Sequence, residues 1–174
     1  NDLGIPVVLD PVGVGATAFR TATARRLLDA LEIAVLKGNA GEIGVLAGTG
    51  GSVRGVDSGG VAGDPVETAR ECARLTGTVV AMTGAVDVVA DDRRVFLVGN
   101  GNPMMDRLSG TGCMAASVTG AFVAVAGDHA VAAAAALAAF GRAGERAAGG
   151  AHGPYSFRTA LFDGLAGLSP DDLA

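Results

Sequence analysis

The chain has 174 residues, 49% of them hydrophobic and 18% charged, with a formal net charge of −5. That length and balance describe one soluble globular domain with a core of its own, and exclude a collagen-like or disordered chain. An acidic chain without a basic cluster is a poor partner for nucleic acid or for an anionic membrane.

The strand signals begin at once. IPVVLDP, Ile5 to Pro11, is a short β-branched run closed by Asp-Pro and is expected to form a buried strand. Thr21 to Leu31 sets Leu27, Leu28 and Leu31 on one side and Arg25 and Arg26 elsewhere, the pattern of an amphipathic helix. IAVLKGN, Ile33 to Asn39, reads as a second strand, followed directly by a short helix over AGEIGVLAG. Arg54 to Gly63 is polar and glycine-rich and reads as a loop. Asp64 caps a helix that has Pro65 at its first position and runs to about Leu75. TVVAMTG, Thr78 to Gly84, is a third buried strand, and VDVVADDRRVFLVGN reads as a hairpin turning at Asp91-Asp92. Helices are expected near 112–125, 130–148 and 156–165. The apolar stretch from Gly112 to Gly141 is mostly alanine and is broken by Asp128 and His129, which fits two buried helices better than a membrane span.

Strands alternating with helices predict a three-layer α/β domain over residues 1–174, with a mostly parallel central sheet covered by helices on both faces. The opening NDLG reads as the last turn of a helix capped by Gly4. A parallel sheet rarely starts there, so the natural protein is expected to have an upstream portion with further strands. The two cysteines, Cys72 and Cys113, fall in different helices without metal-ligand spacing, which favours a reducing, cytoplasmic setting over a disulfide scaffold.

In such sheets ligands gather at the carboxyl ends of the strands. The first strand ends at Asp10, the second at Lys37 with Asn39 and Glu42 just beyond, and the third at Thr83. The hairpin leads into DRLSGTGCMAAS, where Gly110-Thr111-Gly112 enters a helix with its backbone N–H groups directed forward. Lys37 is the sole lysine among 13 lysines and arginines. Two carboxylates for Mg²⁺, a cation and a hydroxyl for phosphate oxygens, and an amide nest are the parts phosphoryl transfer uses. No G-x-x-x-x-G-K-[ST] loop is present, so this is a different solution for ATP. Each piece also has a plainer reading. Asp10-Pro11 suits a turn, Asn39 and Glu42 suit a capping box, and Thr83 suits an ordinary strand end. His129 and His152 stand isolated, and a triad of Ser109, His152 and an aspartate lacks any elbow motif.

Taken in order, VVLDPVGVGAT, KGNAGEI, RGVDS, AMTGAVDVV, LSGTGCM and GPYSFRTALFDGL closely resemble the hydroxyethylthiazole kinase family of the ribokinase-like superfamily. The similarity covers essentially the whole chain and corresponds to about the last two thirds of a typical member. The resemblance implies transfer of the ATP γ-phosphoryl to the hydroxyl of 4-methyl-5-(2-hydroxyethyl)thiazole. It sets Lys37 and Thr83 on ATP, Gly110 on the substrate, and Asp10 and Glu42 on the Mg²⁺ and phosphate side. It implies a homotrimer as well. Most ribokinase-like kinases have Asp where this chain has Cys113, and the family resembles this chain in having Cys. Thiols at helix N-termini are made more acidic, which suits Cys113 either to accept the hydroxyl proton or to hold that hydroxyl in place. Asn102 stands where members commonly have His. The alternatives are a kinase for another small alcohol (a hydroxymethylpyrimidine or pyridoxal), a cysteine-nucleophile hydrolase using Cys113, or a remnant that only binds nucleotide.

Overall fold

Short runs of β-branched and aliphatic residues set the centre of the molecule, whose computed structural model describes residues 1–49, 51–54, 57–61 and 63–173. The strands are β1 (Val8–Leu9), β2 (Val35–Asn39), β3 (Gly51–Arg54), β4 (Asp57–Val61), β5 (Val79–Thr83), β6 (Asp87–Ala90) and β7 (Val95–Val98). The helices are α1 (Ala18–Ala30), α2 (Ala40–Ala47), α3 (Pro65–Thr76), α4 (Thr111–Val123), α5 (His129–Ala148) and α6 (Pro154–Ala166), with a 3-10 turn over Pro103–Arg107.

Five strands form one sheet in the order β1-β2-β5-β6-β7. β1, β2 and β5 pair in parallel, and β6 runs antiparallel to both β5 and β7. Four of the five strands therefore point the same way, with β6 reversed by the expected hairpin. Side chains alternate faces along each strand. Val35, Ala81 and Val89 face Phe140, Phe157 and Leu161 of α5 and α6. Their neighbours Leu36, Val80, Met82 and Val88 face Ile43 of α2 and Ala69 and Cys72 of α3, with Leu28 of α1 packed against that side. This is the expected three-layer arrangement. Phe157 and Leu161 are essentially inaccessible, and burying each contributes about 2 kcal/mol of transfer free energy.

Helix ends follow local chemistry. Asp64 accepts the Val66 N–H at 2.9 Å and Pro65 opens α3. Asn39 and Glu42 form the expected capping box at the start of α2.

Three expectations are corrected. The first strand pairs only over Val8–Leu9 instead of Ile5 to Pro11, because Pro6 and Pro11 lack the N–H that a ladder needs. The first long helix starts at Ala18, not Thr21, because Thr17 Oγ1 accepts the Arg20 N–H at 3.2 Å and fixes the cap further upstream. The segment Arg54 to Gly63, expected as a loop, contains β4, paired antiparallel with β3 through Val53↔Ser58 and Arg54↔Asp57 beside α2. Its polar, glycine-rich composition carries no alternation that would signal a strand. Gly55, Val56 and Ala62 lie outside the described residues.

Candidate active site

Period two decides which side chains meet. On β2, Lys37 and Asn39 share the face of Val35, toward α4–α6. On β5, Thr83 shares the face of Ala81, and on β6, Asp87 shares the face of Val89. The β2–β5 register aligns Lys37 with Ala81 and Asn39 with Thr83. Polar side chains at alternate positions of apolar strands thus collect at one end of the sheet, under the N-terminus of α4.

Lys37 lies inside β2, two residues before its end rather than at the end as expected, and it is only 3% exposed. Its Nζ donates to the Gly112 carbonyl at 3.0 Å and pairs with Asp10 Oδ2 at 3.4 Å. Asp10 follows β1 directly. Burial pushes its carboxyl upward despite the lysine, whose charge and hydrogen bond pull the other way.

Glu42 is also only 3% exposed. Its Oε1 accepts the Gly13 N–H at 2.7 Å and its Oε2 accepts the Asn39 N–H at 3.0 Å, while Asn39 Oδ1 accepts the Glu42 N–H at 2.9 Å. One carboxylate therefore caps α2 and ties down the loop that follows Asp10. Burial raises the Glu42 pKa, Asp10 nearby raises it further, and the two backbone donors and Lys37 lower it.

Thr83 ends β5, and its hydroxyl donates to the Gly38 carbonyl at 3.3 Å. Gly110 caps α4 at φ +96°, a conformation that favours glycine, and no side chain caps that helix end. Thr111 turns its hydroxyl back to the Met105 and Leu108 carbonyls at 3.2 and 3.3 Å. The first turn of α4 thus presents main-chain N–H groups as the sequence leads one to expect, and Cys113, its third residue, is exposed there.

A cavity of about 340 Å³ opens beside this cluster. Asn39, Thr83, Asp87, Thr111 and Gly112 supply polar wall, and Met105, Leu137 and Phe140 supply apolar floor. The segment between Asn100 and Met105 closes the other side. It is held by Glu145 Oε1, which accepts the Gly101 N–H at 3.1 Å, and by Asn102 Oδ1, which accepts the Met104 N–H at 3.0 Å. Asn102 therefore serves as the cap of the 3-10 turn.

Asp10, Lys37, Glu42, Thr83, Gly110 and Cys113 all fall at this end of the sheet. Sequence reasoning missed Asp87 and Glu145. The signal for Asp87 was present: a lone carboxylate opens an otherwise apolar strand, Asp-Val-Val-Ala. Glu145 gave none, since Arg142 three residues earlier makes it look like a surface ion pair. His129 lines hollows with Thr78 and Val79 at the amino end of β5, opposite Thr83, and so is far from Cys113 along the strand. Ser156 Oγ accepts the backbone N–H of His152, which sits at the start of α6.

A mostly one-way sheet between helical layers, with an ion pair and an amide nest near the strand ends, is an arrangement that this chain shares with ribokinase-like α/β kinases. A pyridoxal kinase from Bacillus subtilis, solved with ADP, shares this fold with a TM-score of 0.56 at 24% identity, covering 79% of this chain and 54% of that one. The likeness narrows with a structure described as hydroxyethylthiazole kinase protein from Pyrococcus horikoshii. That match has a TM-score of 0.85 and 41% identity over 99% of this chain and 64% of the other. A hydroxyethylthiazole kinase of Methanoculleus marisnigri is 87% identical over the whole of this chain, which spans 62% of that relative's length. The model of the hydroxyethylthiazole kinase family matches residues 1–171, and the chain belongs to that family.

Proposed function

We propose that this chain carries the phosphoryl-transfer site of a kinase that moves the γ-phosphoryl of ATP to the primary hydroxyl of 4-methyl-5-(2-hydroxyethyl)thiazole. The observation that supports this most is the meeting of Lys37, Asp10 and Gly112, which joins the end of β1 and the middle of β2 to the N-terminus of α4. Phosphoryl transfer asks a protein chiefly for positioning and for compensation of charge. Lys37 and Thr83 supply a cation and a hydroxyl for ATP phosphate oxygens, and the N–H groups at Gly110, Thr111 and Gly112 receive the transferring group. Gly110 also borders the acceptor alcohol. Cys113, exposed at the same turn, accepts the hydroxyl proton or holds the hydroxyl in line.

The donor set fits Mg²⁺. Asp10 and Glu42 are hard oxygen donors at adjacent strand ends, and this ion is commonly held by one or two carboxylates together with substrate phosphates and water. Among the described residues no cluster of three histidine, cysteine or acidic side chains forms an all-protein cage. When bound, the ion offsets the negative charge of the phosphates. Glu42 would contribute through lone pairs left over from its two backbone bonds, and so acts at least in part by fixing Asn39 and Gly13.

A hydrolase built on Cys113 is disfavoured by the position of His129 at the opposite end of β5. The homotrimer and the cytoplasmic setting remain part of the proposal. Both cysteines are free, no helix among the described residues is long and apolar enough to cross a membrane, and Leu3, Ile5, Phe19 and Val125 leave large apolar side chains exposed. Comparing initial rates with Mg²⁺–ATP on the thiazole alcohol, hydroxymethylpyrimidine and pyridoxal tests the substrate assignment. The thiazole alcohol is expected to give the highest kcat/KM, and a preference for either ring alternative would overturn it.

A further inference from the structure

Asp87 is a carboxylate on the cavity wall that the phosphate-end cluster leaves unexplained. It opens β6 on the face of Val89, and continuing the β5–β6 register beyond Met82↔Val88 sets it opposite Thr83. Its Oδ1 accepts the Gly84 N–H at 2.9 Å, and among the described residues its Oδ2 has no hydrogen-bond partner. Burial pushes its carboxyl up to about 6, against the Gly84 N–H and the charge of Lys37, which both lower it. An asparagine would accept the same Gly84 N–H without placing a charge in a poorly solvated site. The turn alone therefore does not explain an acid here.

Asp10 and Glu42 already serve the Mg²⁺ and phosphate side, and a further carboxylate with no cation of its own repels phosphate, so Asp87 belongs beside a part of the ligand that donates hydrogen bonds. Thr83 and Gly112 offer phosphate-compatible groups, and Leu137 and Phe140 offer an apolar floor suited to a base. A nucleotide whose phosphates meet Thr83 and Gly112 and whose base rests on Leu137 and Phe140 would carry its sugar past the strand pair that holds Thr83 and Asp87. We propose that Asp87 accepts hydrogen bonds from the ribose hydroxyls of the bound nucleotide and makes the site select ribonucleotides over deoxyribonucleotides. This rests on the ATP-binding part of the proposed function. A charge-assisted bond to a hydroxyl accounts for discrimination of about tenfold or more.

Calorimetric titration of Mg²⁺–ATP and Mg²⁺–2′,3′-dideoxy-ATP into the wild type, Asp87→Asn and Asp87→Ala tests it. Wild type is expected to bind ATP at least about tenfold more tightly than the dideoxy analogue. Asp87→Asn keeps an acceptor for Gly84 and is expected to bind both nucleotides with nearly the same affinity. A merely structural Asp87 would weaken both equally in the variants, leaving the ratio of affinities unchanged, and that result overturns the inference. Should the variants fail to fold, the wild-type ratio decides alone: a ratio near one refutes a ribose contact. A wild type that binds neither nucleotide removes the kinase reading itself, and this inference with it.

Discussion

Lys37 donates its ammonium to the carbonyl of Gly112, 75 positions further along the chain, at 3.0 Å. That bond fastens the second residue of α4 to the centre of β2, and the same ammonium pairs with Asp10 at the end of β1. The end of β1, the centre of β2 and the start of α4 are therefore braced by one buried cation. Lys37→Gln removes the charge, leaves Asp10 unpaired and weakens the hold on α4. Loss of a partner from a buried pair costs about 3–5 kcal/mol, so a fall in the urea midpoint and a loss of turnover of about 10²-fold or more are expected. Lys37→Arg is expected to keep much of the activity, because charge outweighs shape at a phosphate. Equal activity in all three proteins would show that Lys37 only braces the fold.

Glu42 serves two backbone donors at once, and its substitutions separate capping from chemistry. Glu42→Ala strands the N–H groups of Gly13 and Asn39 and is expected to cost about 2–4 kcal/mol, at about 1–2 kcal/mol for each lost acceptor. Glu42→Gln keeps one acceptor oxygen and most of the stability, but no charge. Turnover of the Gln variant is expected to fall about 10²-fold with an increased Mg²⁺ requirement. A stable Gln variant with wild-type rates would reduce Glu42 to the cap of α2.

The pH dependence of stability carries a signature of Asp87. Its carboxyl titrates at about 6 in the folded chain against an ordinary value of 3.8, so the folded state holds this proton more tightly than the unfolded one. Stability from this group is thus greatest below the ordinary value and declines as pH rises toward 6, then stays level. The decline is of order 2–3 kcal/mol, at about 1.4 kcal/mol for each pH unit. Asp87→Asn should lessen the fall of urea midpoints between pH 4 and 6, where Asp10 and Glu42 also contribute, and be the more stable protein at pH 8. Parallel wild-type and variant curves over that range would contradict this.

Gly141 and Gly144 face the cavity's closing segment from α5. A Cβ on Gly141 would stand 2.7 Å from the main chain of Asn100, and one on Gly144 would stand 2.6 Å from Met105 Sδ. Backbone cannot yield as a methionine can. Gly141→Ala is therefore expected to cost about 1–3 kcal/mol by overpacking and to raise the KM for ATP, with Gly144→Ala milder. Equal, small effects in thermal denaturation would argue that this segment moves freely off α5.

Much of this site was legible because its residues break apolar patterns at intervals of two. Lys37 in Val-Leu-Lys-Gly-Asn and Thr83 after Val-Val-Ala-Met stand out against buried runs, and Asn39-x-x-Glu42 announces a capping box by spacing alone. Asp87 obeyed the same rule but was absorbed into the hairpin reading, since a strand beginning with a polar residue looks like a turn ending. The β3–β4 pair left no such trace, because Asp57–Val61 reads Asp-Ser-Gly-Gly-Val and its ladder is fixed by tertiary neighbours, not by propensity. That one buried lysine would touch both Asp10 and Gly112 also lay beyond the sequence, since strand order depends on nonlocal pairing.

Cys113 separates two chemistries by substitution. A covalent nucleophile has to be sulfur or a close equivalent, whereas a base needs only an acceptor of similar reach at the start of α4. Cys113→Asp is expected to keep or raise phosphorylation of the thiazole alcohol, and Cys113→Ala to lower it without abolishing ATP binding. An Asp variant that folds and binds ATP but is inactive would count against the base role, and a trapped adduct on Cys113 would favour the nucleophile.

Phosphorus-31 NMR of the protein with Mg²⁺–ATP and the thiazole alcohol follows the fate of the γ-phosphoryl directly. A new phosphate monoester signal, coupled to the methylene protons of the hydroxyethyl arm and growing in step with ADP, is expected. ADP accompanied only by inorganic phosphate, or ATP left intact in the presence of the alcohol, would contradict it.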